Sequence, residues 1–204
     1  MQATYEIRTI PSAAALSLAR ETELSSYYPV GNEYEPRTTI AMGYVPGEGF
    51  YVRMRCYETN PKADEMSEDG DVYKDSCLEC FLNFNPEQGE EYLNLEGNAV
   101  GTLHCKYGKD RFLRYSLTEL GVGPRPTAMS RIMSDCWEID YFVSIDLVTA
   151  LFHKSSFSPG DHLRGNFYKC GDDTVLPHFG MWSPIREELN FHLPAFFGDL
   201  IISE

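Results

Sequence analysis

The sequence predicts an all-β protein, and three observations carry that prediction. Twelve prolines and sixteen glycines are spread along 204 residues and cut the chain into many short segments. Several of those segments alternate apolar and polar residues with the period of two that an extended strand requires. The third is the residue stock: 43% hydrophobic and 13% aromatic, with 13 Tyr and 12 Phe, enough to fill the core of one domain spanning 1–204.

The elements follow in order. Tyr5-Glu6-Ile7 reads as an edge strand, and Ser12 to Arg20 has helical composition with Ser12 as its N-cap. Tyr27 to Pro36 is an aromatic, proline-bounded loop. Thr38–Tyr44 and Phe50–Tyr57 form a hairpin through Pro46-Gly47-Glu48-Gly49, with Phe50, Val52, Met54 and Cys56 facing the core. Asn60 to Asp71 is a loop whose acids, Asp64, Glu65, Glu68, Asp69 and Asp71, read as a solvated face; their spacing lacks the EF-hand pattern.

Val72 to Phe84 alternates again, with Ser76, Leu78, Cys80, Leu82 and Phe84 inward and Asp75, Cys77, Glu79, Phe81 and Asn83 outward. Periodicity decides a chemical question here. Cys77-x-x-Cys80 has the spacing of a zinc or redox pair, but residues i and i+3 of a strand point to opposite sides and cannot chelate together. Tyr92 to Glu96 places Leu93 and Leu95 inward and Tyr92, Asn94 and Glu96 outward. Lys106 to Arg131 is a Gly- and Pro-rich excursion around a strand or short helix. Trp137 to Ile145 is a long strand with Trp137, Ile139, Tyr141, Val143 and Ile145 inward, followed by a short helix capped by Asp146. A last strand runs from Phe197 to Ile202.

The formal charge of −14, without a Lys/Arg cluster, argues against nucleic acid and against an anionic membrane surface. A neutral ligand such as a sugar suits it, as does a divalent cation. Met1 to Arg8 has neither a basic nor an apolar leader segment, so the chain as written reads as cytoplasmic, or as secreted if a signal has been removed. Six scattered cysteines read as buried small apolar residues. Oligomeric state is not legible.

The most distinctive stretch is Arg164 to Pro184. Asn166, Tyr168 and Cys170 share one strand face, Phe167 takes the other, and a loop then carries His178 and Trp182. It offers a polar and aromatic surface without a nucleophile–base pair, phosphate loop or metal spacing. A pyranose has apolar C–H faces and a rim of hydroxyls, which an aromatic plate and directional side chains would answer.

Three patches together, Tyr73-Lys74-Asp75-Ser76-Cys77-Leu78-Glu79-Cys80-Phe81-Leu82, Asn166 to Gly171, and His178 to Pro184 followed by Phe191 to Gly198, resemble the family 9-like carbohydrate-binding proteins, relatives of the family 9 modules attached to xylanases. The resemblance implies a β-sandwich of two antiparallel sheets, jelly-roll-like, with one or two short helices and no catalytic machinery. It implies a mono- or oligosaccharide derived from glucan or xylan, held between aromatics. Tyr73 takes the place of a family Trp, and Glu79 is the strand acid. Structural calcium is implied too, although no ligand can be matched and the residues themselves require no cofactor.

The expected binding residues are Tyr73, Glu79, Asn94, Glu96, Asn166, Tyr168 and Trp182. Each has a structural alternative: Trp182 as core, Tyr73 closing a sheet edge, Asn166 satisfying loop backbone, and Glu79 paired with Arg53 or Arg55 on a neighbouring face. Two other functions remain open. One is a glycoside-processing enzyme with Glu79 and Glu96 as its carboxylate pair. The other is a partner-binding sandwich without sugar affinity.

Overall fold

The computed structural model describes residues 2–204. Alternating hydrophobicity makes strands at β1 (Thr4–Thr9), β2 (Glu21–Glu23), β3 (Ser26–Tyr27), β4 (Thr38–Val45), β5 (Gly49–Cys56), β6 (Cys77–Asn83) and β7 (Tyr92–Asn98). They continue through β8 (Leu103–Gly108), β9 (Arg114–Ser116), β10 (Thr127–Ile132), β11 (Trp137–Ser144), β12 (His162–Cys170), β13 (Phe179–Met181) and β14 (Gly198–Ser203). Two short α-helices, α1 (Leu117–Leu120) and α2 (Ile145–Phe152), interrupt them.

The strand order is β10-β11-β5-β4-β1-β14-β12-β6-β7-β8-β9, a path that curls until its two halves face each other as a jelly-roll-like sandwich. One core fills the space between. Ile40, Met42, Phe50, Val52, Trp137, Ile139 and Tyr141 come from one layer, and Leu78, Cys80, Leu82, Leu93, Leu95 and Phe167 from the other. The layers touch closely at Gly97, where an added Cβ would lie 2.5 Å from the Tyr141 hydroxyl oxygen. That clearance lets the Tyr141 hydroxyl donate to the Leu78 carbonyl at 2.5 Å.

Four local expectations are corrected. The Tyr5 strand is not an edge: β1 lies between β4 and β14, parallel to both, with Tyr5 and Ile7 buried. It joins the two halves that were expected as separate antiparallel sheets. Ala13–Leu18 is a 3-10 turn rather than an α-helix, and the Ser12 side chain caps nothing. Helix α2 is capped by Ser144, whose hydroxyl accepts from the Leu147 N–H; Asp146 sits in the first turn instead. The strand expected from Val72 begins only at Cys77, because Val72–Lys74 forms a 3-10 turn that carries Tyr73.

Most of the Arg164–Pro184 stretch is scaffold. Lys169 is fully buried, and its ammonium reaches His178 Nε2 at 2.6 Å, the Cys170 carbonyl at 2.9 Å and Glu58 at 3.3 Å. Glu58 also accepts from Trp137 Nε1 at 3.0 Å and from the Ser76 hydroxyl at 3.0 Å. Burial alone would raise the Glu58 carboxyl, but the Lys169 charge and these donors hold it low. His178 donates Nδ1–H to the Leu176 carbonyl, and burial with the Lys169 charge pushes it down to about 4, so a neutral ring accepts from the lysine. A buried charge tolerated this way must be paired, and removing one partner costs about 3–5 kcal/mol. The network ties the loop between β12 and β13 to the opposite layer.

Candidate functional site

The outer face of β6, β7 and β8 is covered at one end by packed aromatics and open at the other. Where Tyr92, Phe81 and Tyr168 cluster, residues 185–197 lie over them. Beyond that cover lies a cleft of about 420 Å³. Register builds its floor: Glu79 lies opposite Glu96, and Glu96 opposite His104, a row of three polar side chains on three neighbouring strands. Arg114 arrives from β9, its Nη1 3.6 Å from Glu96 Oε1. Aromatic side chains line the same cleft: Tyr73 from the turn before β6, Phe112 from the β8–β9 hairpin, Phe179 from β13, and Phe191. Phe112 is 89% exposed, held at the hairpin tip where Asp110 accepts from the Phe112 and Leu113 N–H groups.

The electrostatics of this floor are unusual for buried polar groups. Burial, and next the Glu96 charge, push the Glu79 carboxyl well above the usual carboxylate range; its Oε1 accepts from the Cys170 thiol at 2.8 Å. Burial and neighbouring Asp173 push Asp172, at the rim, up to about 6. Glu96 accepts from Asn94 Nδ2 at 2.6 Å. His104 Nδ1 faces the carbonyls of Asp69 and Gly70, so it carries the proton there and Nε2 keeps a lone pair in the neutral ring. That Nε2, Arg114 Nη1 and Asn94 Oδ1 are buried without any hydrogen-bond partner. Buried polar atoms are nearly always satisfied, at a cost of about 1–3 kcal/mol each when they are not. Two of them belong to His104 and Arg114, which line the cleft beside Glu96, and the third, on Asn94, lies beneath it.

Of the residues expected from sequence, Tyr73, Glu79 and Glu96 line this cleft. Asn94 is fully buried beneath it as the support of Glu96. The other three belong to the interior. Trp182 is 3% exposed and packs edge-on against Phe167 and Tyr5 in the main core, so it is no ligand platform. Asn166 is fully buried, and its amide bonds the Ser183 N–H and carbonyl, which pins the turn after β13. Tyr168 is fully buried, stacked 4.1 Å from Phe191, with its hydroxyl on the Phe191 carbonyl; it supports a lining residue without reaching the cleft. Nor is Glu79 paired with Arg53 or Arg55, which bond Asp140 and Glu138 on the other layer. His104, Arg114 and Phe112 were missed. Leu103-His104-Cys105-Lys106 alternates, so His104 and Lys106 share a face, but the register that brings that face beside Glu96 is not written locally.

The fold and this cleft now meet known proteins. The profile of carbohydrate-binding family 9 matches residues 26–202. This chain belongs to that family. A solved structure from Bacteroides uniformis, named as a candidate carbohydrate-binding protein, superposes with a TM-score of 0.80 at 26% identity, covering 100% of both chains. A family 9 module from Caldicellulosiruptor kristjanssonii in complex with cellotriose superposes at 0.70 with 10% identity, over 98% of this chain and 93% of that one. The complex of such a module from the same organism with glucose gives 0.72 and 10%, over 98% and 96%. At 10% identity these two show the shared fold. No curated protein sequence matches this family 9 chain.

The calcium implied by the resemblance finds no fitting donor set in the acidic loop. Asp69 is bonded by Arg125 and the Cys105 N–H, Asp71 pairs with Lys74 at 2.8 Å, and Glu65 accepts from the Ser67 N–H. These carboxylates are spread over separate partners, whereas calcium needs six to eight oxygens gathered on one point.

Proposed function

We propose that this family 9 protein binds the neutral end of a glucan- or xylan-derived mono- or oligosaccharide in the cleft between Tyr73 and the β8–β9 hairpin, without transforming it. The observation that carries the reading is the set of unpartnered polar atoms around Glu96, flanked by aromatic side chains in an open cleft. Sugar hydroxyls are both donors and acceptors, so one hydroxyl can take the Arg114 N–H and another can donate to His104 Nε2. Aromatic rings supply the surface for the C–H faces. The cavity falls within the size range of small-molecule sites.

A binding role without catalysis is supported by how the two carboxyls sit. Glu79 and Glu96 stand side by side on adjacent strands, Glu79 accepting from the Cys170 thiol and Glu96 from the Asn94 amide, so both carboxyls are engaged within the chain. Calorimetric titration with glucose, xylose and their β-linked oligomers tests the proposal. Saturable binding is expected, weakened about tenfold by Tyr73→Ala, since an aromatic contact of this kind contributes about 0.5–1.5 kcal/mol beyond area burial. No heat from any of these sugars at millimolar concentration would reject it. Release of reducing sugar that Glu79→Gln abolishes would reject the non-catalytic part.

A further inference from the structure

The cysteine pair that the sequence suggests is not the pair the fold makes. Cys80 faces the main core, while Cys77 faces the other side of β6. There Cys77 lies directly opposite Cys170 of β12. Glu79, two residues along β6, shares the Cys77 face, and its carboxyl already meets the Cys170 thiol at 2.8 Å. One donor atom from each of the three lies within 4.8 Å of the others. Among the described residues, this is the group of His, Cys, Asp and Glu that gathers three donors.

We propose that Cys77, Glu79 and Cys170 form a binding site for one thiophilic divalent cation, zinc or cadmium in chemical class, at the floor of the cleft. Tetrahedral zinc with bonds of about 2.3 Å to sulfur places two thiolates about 3.8 Å apart, an edge that these donors already span with little movement. All three side chains are fixed by strand positions, so little ordering is left to do on binding. Glu79 and Cys170 line the cleft, which gives an ion its way in. Two thiolates exclude calcium and magnesium, which take oxygen ligands, and select a softer ion. Binding releases both thiol protons to solvent together with the proton that burial and the Glu96 charge favour on the Glu79 carboxyl; two thiolates and one carboxylate around a divalent cation then leave one net negative charge, which the Arg114 guanidinium nearby offsets.

The site is tested without any sugar, so its failure and that of the carbohydrate reading are separable. The chain, reduced with a phosphine and freed of metal, is titrated with cadmium while the ultraviolet thiolate-to-cadmium band is followed. Expected is a saturable band at one cadmium per chain. Cys77→Ser and Cys170→Ser each remove at least half of its intensity and weaken binding at least tenfold. Cys80→Ala, on the opposite face, keeps the band. No saturable band in the unsubstituted chain overturns the proposal, whatever the variants do. So does a band that survives both serine substitutions, or one that Cys80→Ala removes. Circular dichroism on each variant confirms that a lost band reports a lost ligand rather than a lost fold.

Discussion

The outer face of β5, β11 and β10 and the outer face of β6, β7 and β8 arise from the same sequence rule, yet they end in opposite states. Both carry the polar phase of alternating strands. On the first, Arg53 bonds Asp140 at 2.7 and 2.8 Å, Arg55 bonds Glu138 at 2.9 and 2.7 Å, and Arg131 bridges both acids. Every carboxylate oxygen there has a partner. On the second, His104, Arg114 and Asn94 keep unpartnered atoms around Glu96, and aromatic side chains stand over them. A saturated polar face has completed its hydrogen bonding within the chain. An unsaturated one stores a cost of about 1–3 kcal/mol per atom that a ligand can relieve. The difference lies in what is missing from the bonding, which the number of charged residues on a face does not record.

The largest effect that could break this comparison is at Trp182, the residue which sequence reasoning placed in the site. Its ring fills the interior between Tyr5 and Phe167, and an added Cβ at Gly198 would press on it. Trp182→Ala is expected to lower unfolding free energy by about 3–5 kcal/mol through lost burial and a cavity. Sugar affinity of the folded fraction stays within about twofold. Denaturant unfolding and calorimetry on the same sample measure both. A large affinity loss with unchanged stability would return Trp182 to the site and remove the distinction between the faces.

Why Trp182 falls in the core while Glu79 and Glu96 reach the cleft is a matter of what periodicity encodes. Alternation within a strand gives the face, so it turns Tyr92, Asn94, Glu96, Asn166 and Tyr168 away from the main core, where the structure also has them. It does not say whether that face is then covered. Residues 185–197 fold back over one end of the sheet and bury Tyr168 and Tyr92, a contact between segments far apart in sequence that no local pattern records. The second limit is register. Glu79, Glu96 and His104 form a row only because β6, β7 and β8 align as they do, and strand pairing offset by one residue would scatter them. The family 9 resemblance supplied the fold; the open end of the sheet supplied the candidate site.

A sharper comparison comes from matched substitutions of one arginine on each face. Arg114→Met keeps most of the side-chain length and removes a guanidinium whose Nη1 has no hydrogen-bond partner within the chain, together with its 3.6 Å ion pair to Glu96 and the Nε bond to the Arg111 carbonyl. Sugar affinity is expected to fall about 10–100-fold, the worth of a hydrogen bond from a charged group at about 1.5–3 kcal/mol, with a smaller change in stability. Arg55→Met removes a guanidinium bonded to Glu138 and should do the reverse, lowering the melting temperature while leaving affinity unchanged. Titration and thermal unfolding of the two variants side by side give a two-by-two outcome. Equal effects on both quantities in both variants would mean that unsatisfied atoms do not mark the binding face.

The smallest effect is a pH dependence confined to the saturated face. Burial would raise the Glu138 carboxyl, but Arg131 and Arg55 outweigh it and hold the group below its ordinary value of 4.5. Arg53 and Arg131 likewise hold Asp140 below 3.8, against burial. The folded state therefore binds these protons less readily than the unfolded chain. The stabilisation is complete above about pH 4.5 and is lost as pH falls through the lower folded values. Since the arginines are partly exposed, with side chains 34% to 46% accessible, its size is on the order of 1 kcal/mol. Other acids in the chain titrate in the same range, so the informative quantity is the difference between the unsubstituted chain and Glu138→Gln. That difference in unfolding free energy should be constant from pH 7 down to about 4.5 and shrink below it, while sugar affinity is the same in both proteins at neutral pH. A difference that persists at low pH would show that Glu138 contributes by packing rather than by charge, and the first face would then owe its stability to something other than saturated ion pairs.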